Sequence, residues 1–266
     1  MKESLTRLLS GIVYIILLIA ATSFSFNTFL VLFGLFLVCC VLEFCKLLQL
    51  NKLLPLVIAN ASYCLFSFFH TSAVTELLLL AATLFVMAKC IIFLFNHKKP
   101  TDTLSKYVYL IGYVILPFIL ITKLPLGKIG YNPKIIISIF ILIWTNDTFA
   151  YIVGKSFGRR KLFERISPKK TMEGFVGGIL FTMLAGYLIA EHYVMQSAFL
   201  WIAIAVIASI FGTLGDLIES KFKRIAGVKD SGAIMPGHGG ILDRLDSVIF
   251  AVPIIFLLFQ IINYVS

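Results

Sequence analysis

Long apolar stretches follow one another along almost the whole of this 266-residue chain. Nine of them reach helical length, at about residues 5–22, 27–45, 53–70, 73–95, 104–122, 134–153, 174–190, 197–217 and 242–263. A hydrocarbon core about 30 Å thick is crossed by about 20 apolar residues in a helix, which satisfies every backbone amide internally. The composition agrees: 60% of residues are hydrophobic and 14% charged, where a soluble domain carries about a quarter charged residues. The expected fold class is an all-α polytopic membrane protein with about nine transmembrane helices. The first run follows Lys2 and Arg7 like a leader peptide. Leu5, Leu8 and Leu9 extend it and a second run follows at once, so it reads as a first span. The third run contains polar Asn60 and Ser62. We see no internal repeat, low-complexity tract or soluble domain. One integral membrane domain over 1–266 is expected, with N-terminal helices over 1–135 and a motif-bearing region over 136–250.

Charge sets the orientation. With the N-terminus inside, segments 1–7, 46–52, 96–106, 154–173 and 218–244 face the cytoplasm. They hold two, two, three, seven and five Lys or Arg residues, nineteen in all. The other side holds only Lys123, Lys128 and Lys134, and Lys89 lies within a span. Cytoplasmic loops collect Lys and Arg. The N-terminus is therefore expected in the cytoplasm and the C-terminus outside. Both long polar intervals, 154–173 and 218–241, would then open to the cytoplasm. A net charge of +10 on such a chain points to anionic lipid or nucleotide partners rather than nucleic acid. Cys39, Cys40, Cys45, Cys64 and Cys90 lie in or beside apolar runs without a C-x-x-C pair. They read as buried thiols, with no disulfide framework.

Chemistry gathers in three places. The eighth run ends G-T-L-G-D-L-I-E-S-K-F-K-R. If the helix continues past Asp216, then Asp216, Glu219, Ser220 and Lys223 share one face. An acid near the end of a membrane helix is costly unless it meets protein, water or a cation, whereas Glu219 and Lys223 also fit a simple i,i+4 pair. The ninth run opens Gly239, Gly240, Asp243, Arg244 and Asp246, after His238. Two carboxylates one turn apart resist joint ionisation without a counter-charge. Mg²⁺ supplies one, held by carboxylates and substrate phosphates. The alternative is a pair of helix-start acids complementing the dipole, with Arg244 as their partner. The two glycines permit close backbone approach of a ligand, and His238 reads as a hydrogen-bonding positioner. Third, Asp147 lies inside the sixth run with Asn146 beside it and Tyr151 one turn on. The following loop carries Ser167, Lys169, Lys170, Thr171 and Glu173, with the lysines placed for phosphates and Thr171 for a helix cap. Gly174, Gly177, Gly178 and Gly212 read as helix-packing surface. Glu43, Glu76, Lys89 and Glu191 show no convergent partner and receive no role.

At these residues the chain resembles the phosphatidate cytidylyltransferase family, also called CDP-diacylglycerol synthase. Ser220, Lys223, Arg224, Lys229, Asp230, Pro236, His238, Gly239, Gly240, Asp243, Arg244 and Asp246 match its long signature. Met235 departs mildly, where Leu, Ile or Phe is usual. Trp144, Asp147, Thr148, Ala150, Tyr151 and Gly154 resemble a second motif, and Ser167 to Gly174 a third. The match covers about 136–250. The resemblance implies a homodimer with a polar cavity open to the cytoplasm, transferring the cytidylyl group of CTP to phosphatidate. It implies Mg²⁺ at Asp216, Asp243 and Asp246, with Asp147 as a further acid, and K⁺ beside it on family grounds alone. Lys169, Lys170, Lys223, Arg224, Lys229 and Arg244 would hold phosphates, with Ser167, Thr171, Ser220, Asp230 and Tyr151 at the substrates. His238, Gly239 and Gly240 would shape the nucleotide loop. Size and simplicity favour a bacterial plasma membrane. A CTP-dependent lipid kinase is the nearest rival. A CDP-alcohol phosphotransferase lacks its D-G-x-x-A-R motif here. A transporter would show repeated halves and midplane charge.

Overall fold

The computed structural model describes residues 2–96, 102–127 and 130–265. Lys98, Lys99 and Lys128, counted in the charge asymmetry above, lie outside the described residues. The helices are α1 Lys2–Phe24, α2 Phe26–Leu48, α3 Leu53–Phe68, α4 Ala73–Phe95 and α5 Thr103–Lys123. They continue with α6 Pro133–Phe157, α7 Met172–Val194, α8 Ala198–Ile225 and α9 Leu242–Val265. Two antiparallel hairpins join them. β1 Leu126–Gly127 pairs with β2 Gly130–Tyr131, and β3 Lys161–Phe163 with β4 Ser167–Thr171.

Among the described residues, eight helices are long and apolar enough to cross a membrane, and α3 is a shorter apolar helix. The all-α polytopic expectation holds, with the third run the one that falls short. Its polar residues turn back on their own helix. Asn60 Nδ2 donates to the Leu56 carbonyl at 2.8 Å and Ser62 Oγ to that of Ile58 at 2.7 Å, which satisfies part of their polarity within the helix.

Buried side chains from all nine helices form one contiguous apolar core. Helices α6, α7, α8 and α9 pack in sequence, each along the next. Small residues let α6 and α7 approach closely. A Cβ at Gly174 would stand 2.5 Å from the Ala150 carbonyl, one at Gly177 2.7 Å from Val153, and one at Gly178 2.7 Å from Asn146 Oδ1. The packing surface expected there is present. On α8 the tight crossing differs. A Cβ at Gly212 would meet Ser247 at an ordinary 3.4 Å, whereas one at Gly215 would lie 2.4 Å from the Asp246 carbonyl. Replacing Gly177 with leucine should force α6 and α7 apart at a cost of about 1–3 kcal/mol, read as a lower unfolding midpoint in detergent. Gly127→Ala is the control, since nothing stands within 4 Å of its added Cβ.

Helix α8 is seated on rings from the N-terminal half. Phe222 lies 4.7 Å from Phe93, 5.1 Å from Phe44, 5.5 Å from Tyr109 and 5.9 Å from Tyr113, centroid to centroid. One residue earlier, Lys221 Nζ donates to the Phe93 and Asn96 carbonyls and satisfies the orphan acceptors at the end of α4.

Candidate active site

Five elements converge on one cavity of about 660 Å³, α7 among them through Gly174 and Phe175. Helix α6 contributes Asn146, Asp147 and Tyr151, and the β3–β4 hairpin contributes Lys161, Lys169, Lys170 and Thr171. Helix α8 adds Thr213 and Asp216, and α9 adds Asp243, Arg244 and Asp246. The first long polar interval, 154–173, therefore meets residues that flank the second, Asp216 before it and Asp243 to Asp246 after it.

Local chemistry positions the hairpin. Thr171 caps α7, its Oγ1 accepting from Gly174 N at 3.1 Å. Lys169 and Lys170 thus stand just before a helix N-terminus, where the dipole favours anions. Glu173 is not that cap. Its carboxylate accepts from the backbone N–H groups of Arg159 at 3.0 Å and Arg160 at 3.2 Å, tying the end of α6 to the start of α7. Lys170 Nζ reaches Asp216 at 2.6 Å. Burial works against the charged amine, but Asp216, and after it Asp147 and Asp246, outweigh that and raise its pKa. It remains a cation throughout the physiological range.

Helix α8 does continue past Asp216, so the expected face exists. Ser220 Oγ donates to Asp216 Oδ1 at 3.2 Å, and Lys223 Nζ lies 2.5 Å from Glu219. The partner of Asp243 is Lys223, at 2.6 Å. Arg244, expected beside the two acids, donates instead to the His238 carbonyl at 3.1 Å. The other oxygen of Asp243 accepts from Gly240 N at 2.7 Å, Ser231 N at 2.9 Å and Ser231 Oγ at 3.0 Å. Both oxygens thus carry protein donors. Asp246 is buried and accepts from Ser247 N at 2.6 Å. Asn146 Oδ1 is buried without a hydrogen-bond partner among the described residues.

One important residue escaped the sequence. Glu43 of α2 is buried at 5% exposure. It accepts from Leu242 N at 2.8 Å, Ile241 N at 3.1 Å and Ser231 Oγ at 3.1 Å. A carboxylate from another helix therefore caps α9. Groups of the protein crowd both glycines. A Cβ at Gly240 would lie closest to Ser231 Oγ and 2.4 Å from Glu43 Oε2, and one at Gly239 would lie 2.5 Å from Asp243 Oδ2. The groups that approach this backbone are a hydroxyl and two carboxylates of the protein itself, where the sequence suggested a ligand. Gly239 also has φ +91, a region open to glycine.

Several expected residues stand apart from the cavity lining. His238 faces α1, with Nδ1 2.7 Å from Ser10 Oγ. Burial, then Arg244 and Arg7, lower its pKa and favour the neutral ring. Arg224 Nη1 donates to the Val228 carbonyl at 3.0 Å. Lys229 and Asp230 are exposed on the loop before α9, and Ser167 opens β4. Lys89, given no role, stacks its amine 5.9 Å from the Phe85 ring. Lys89→Met should leave turnover within about twofold, as expected of a surface change away from special features.

The sequence profile of the cytidylyltransferase family matches residues 5–262. The chain belongs to the cytidylyltransferase family. A protein named phosphatidate cytidylyltransferase from Staphylococcus epidermidis is 48% identical over 127 residues, which are 47% of this chain and 48% of the relative. One of the same name from Staphylococcus aureus (strain COL) is 52% identical over 121 residues, 45% of this chain and 46% of the relative. The aligned stretch spans about half the length of these curated relatives.

The donor set of this cavity suits a hard divalent cation. Asp147, Asp216 and Asp246 offer carboxylates beside the lysines. Among the described residues, no three His, Cys, Asp or Glu side chains are grouped closely enough to hold a metal by themselves. Mg²⁺ is ordinarily bound by one or two carboxylates together with substrate phosphates, so the residues fit that ion when nucleotide accompanies it.

Proposed function

We propose that this chain transfers the cytidylyl group of CTP to phosphatidate, giving CDP-diacylglycerol and pyrophosphate. The observation that carries the reading is the convergence of the three motifs on one cavity lined by lysines and aspartates together. The lipid phosphate is already ionised near neutral pH, so no Ser or Cys nucleophile is required. One of its oxygens attacks the α-phosphorus of CTP. The new P–O bond forms as the α–β phosphoanhydride bond breaks, and pyrophosphate leaves with the electron pair. The protein's task is to hold two polyanions together in line.

Lys161, Lys169, Lys170 and Arg244 bind phosphates in this reading. One or two of the carboxylates of Asp147, Asp216 and Asp246 would hold Mg²⁺ together with the nucleotide phosphates, and the ion would neutralise phosphate charge and stabilise the departing pyrophosphate. Asp243, with Lys223, Ser231 and Gly240 on its oxygens, fixes the start of α9 so that Asp246 and Arg244 face the cavity. The Lys170–Asp216 pair keeps each charge compensated until substrate phosphates draw the lysine away. The excess of Lys and Arg at this end supports a cytoplasmic site in a bacterial plasma membrane, and the family supports a homodimer.

The test uses purified protein with phosphatidate, Mg²⁺ and CTP labelled separately at the α- and γ-phosphates. Label from the α-phosphate should enter the lipid, with pyrophosphate released. Label from the γ-phosphate in the lipid, with CDP released, would make this a lipid kinase.

A further inference from the structure

A second cavity, apolar and about 460 Å³, lies between α1, α2 and the loop before α9. Its walls include Leu9, Val13 and Leu17 of α1, Phe36 of α2, and Met235 and Ile241 of the loop. On α1 the lining extends from Thr6 to Leu17, about 16 Å at the helical rise of 1.5 Å per residue. One leaflet of a hydrocarbon core is about 15 Å deep, so the groove matches a lipid chain in length. Only 17% of the α1 span is buried, so this wall of the groove lies open toward the bilayer.

One end of the groove is cationic. The Arg7 side chain packs on Gly237, its Cγ 2.7 Å from where a Cβ would stand. Ser10 Oγ meets His238 Nδ1 at 2.7 Å and donates to the Pro236 carbonyl at 3.0 Å. Arg244 donates to the His238 carbonyl and also lines the catalytic cavity. The same loop therefore closes the polar end of the groove and borders the site. An apolar trough of leaflet depth, closed by a loop on which Arg7 and Arg244 both pack, complements a hydrocarbon chain that carries an anionic head.

We propose that this groove receives an acyl chain of the phosphatidate substrate, with the lipid phosphate drawn toward Arg244 and Arg7. This rests on the cytidylyl-transfer reading and adds the route by which the lipid reaches the site. His238 and the glycine turn beside it then form the threshold between the groove and the cavity, which accounts for a histidine that faces α1.

The experiment compares dioleoyl with dihexanoyl phosphatidate, whose chains are too short to fill the groove, on full-length protein. In Val13→Trp and Leu9→Trp the KM for dioleoyl phosphatidate should rise by about tenfold or more, the loss expected when a few methylenes are no longer buried. The KM values for dihexanoyl phosphatidate and CTP should not move. Dioleoyl phosphatidate binding, measured without CTP, should weaken in parallel, and Leu180→Trp on the exposed face of α7 should match the parent. An unchanged dioleoyl KM would overturn the proposal. So would equal losses on both lipids, which would mark damage to the loop, or a changed oligomeric state, which would mean that a second copy covers the groove. Parent protein that binds dioleoyl phosphatidate, loses that binding in Val13→Trp and forms no CDP-diacylglycerol would leave the groove standing and remove the assigned reaction.

Discussion

Asp246→Asn is expected to reduce CTP consumption by about a thousandfold, the upper range for loss of one preorganised charge-stabilising group, while the protein remains folded. Asp246 is buried and lines the cavity with Asp147 and Asp216. Asparagine keeps the volume and retains an acceptor for Ser247 N, so the local backbone has no reason to move. What disappears is one of three carboxyl groups gathered at the same cavity. Carboxyl groups so gathered disfavour one another's ionised form, so the unfolding midpoint should hold or rise as activity falls. Turnover and thermal unfolding measured on the same preparation separate these effects. Full activity would overturn the cation-holding role, and a large loss of stability would make Asp246 a structural residue.

Glu43→Ala should damage both stability and turnover, although Glu43 does not line the catalytic cavity. The substitution leaves Ile241 N and Leu242 N without an acceptor, while Ser231 Oγ keeps Asp243. A buried donor left unsatisfied costs about 1–3 kcal/mol, so a combined loss of at least about 2 kcal/mol is expected for the two. The start of α9 would loosen with it, and Asp243, Arg244 and Asp246 would lose their fixed aim. Turnover should fall at least about tenfold, as expected when reacting groups are displaced by a fraction of an ångström to an ångström. Faster amide exchange at Ile241 and Leu242 would locate the defect. Glu43→Gln, which keeps the volume and one acceptor oxygen, should fall between the parent and the alanine variant. Parent-like exchange and turnover in Glu43→Ala would remove its capping role.

The contrast between Asp216 and Glu43 shows what the sequence can carry. Asp216, Glu219, Ser220 and Lys223 were legible because helical spacing alone puts them on one face, and α8 runs on to Ile225. The membrane helices were legible because a bilayer fixes their length and polarity, with α3, Leu53–Phe68, the one that falls short. Glu43 looked isolated because its partners lie 188 to 199 residues away, and no local pattern records such a distance. One signal was available: an acid within an apolar span is expensive without a partner, so a lone one implies a partner elsewhere. Gly239 and Gly240 were read as sites of close approach by a ligand, and the atoms beside them in the fold belong to Ser231, Glu43 and Asp243. Sequence alone could not say that Glu43 and Asp243 make the approach. Likewise Lys223 rather than Arg244 meets Asp243, because the α8–α9 crossing at Gly215 brings the lysine face inward.

The ring cluster around Phe222 divides the site into parts of unequal stiffness. Asp216 rides on a helix whose far side is wedged among Phe44, Phe93, Tyr109 and Tyr113, four rings from three other helices. Lys161 and Lys169 ride on a small two-stranded ribbon at the bundle's end. Asp216 is therefore held by a packed buttress that lines no part of the cavity, whereas Asp147 and Asp246 are set by their own helices, α6 and α9. A change in ring volume there, remote from the cavity, would shift Asp216 and leave the other two carboxylates in place. The N-terminal helices thus act as a gauge for one wall of the cavity.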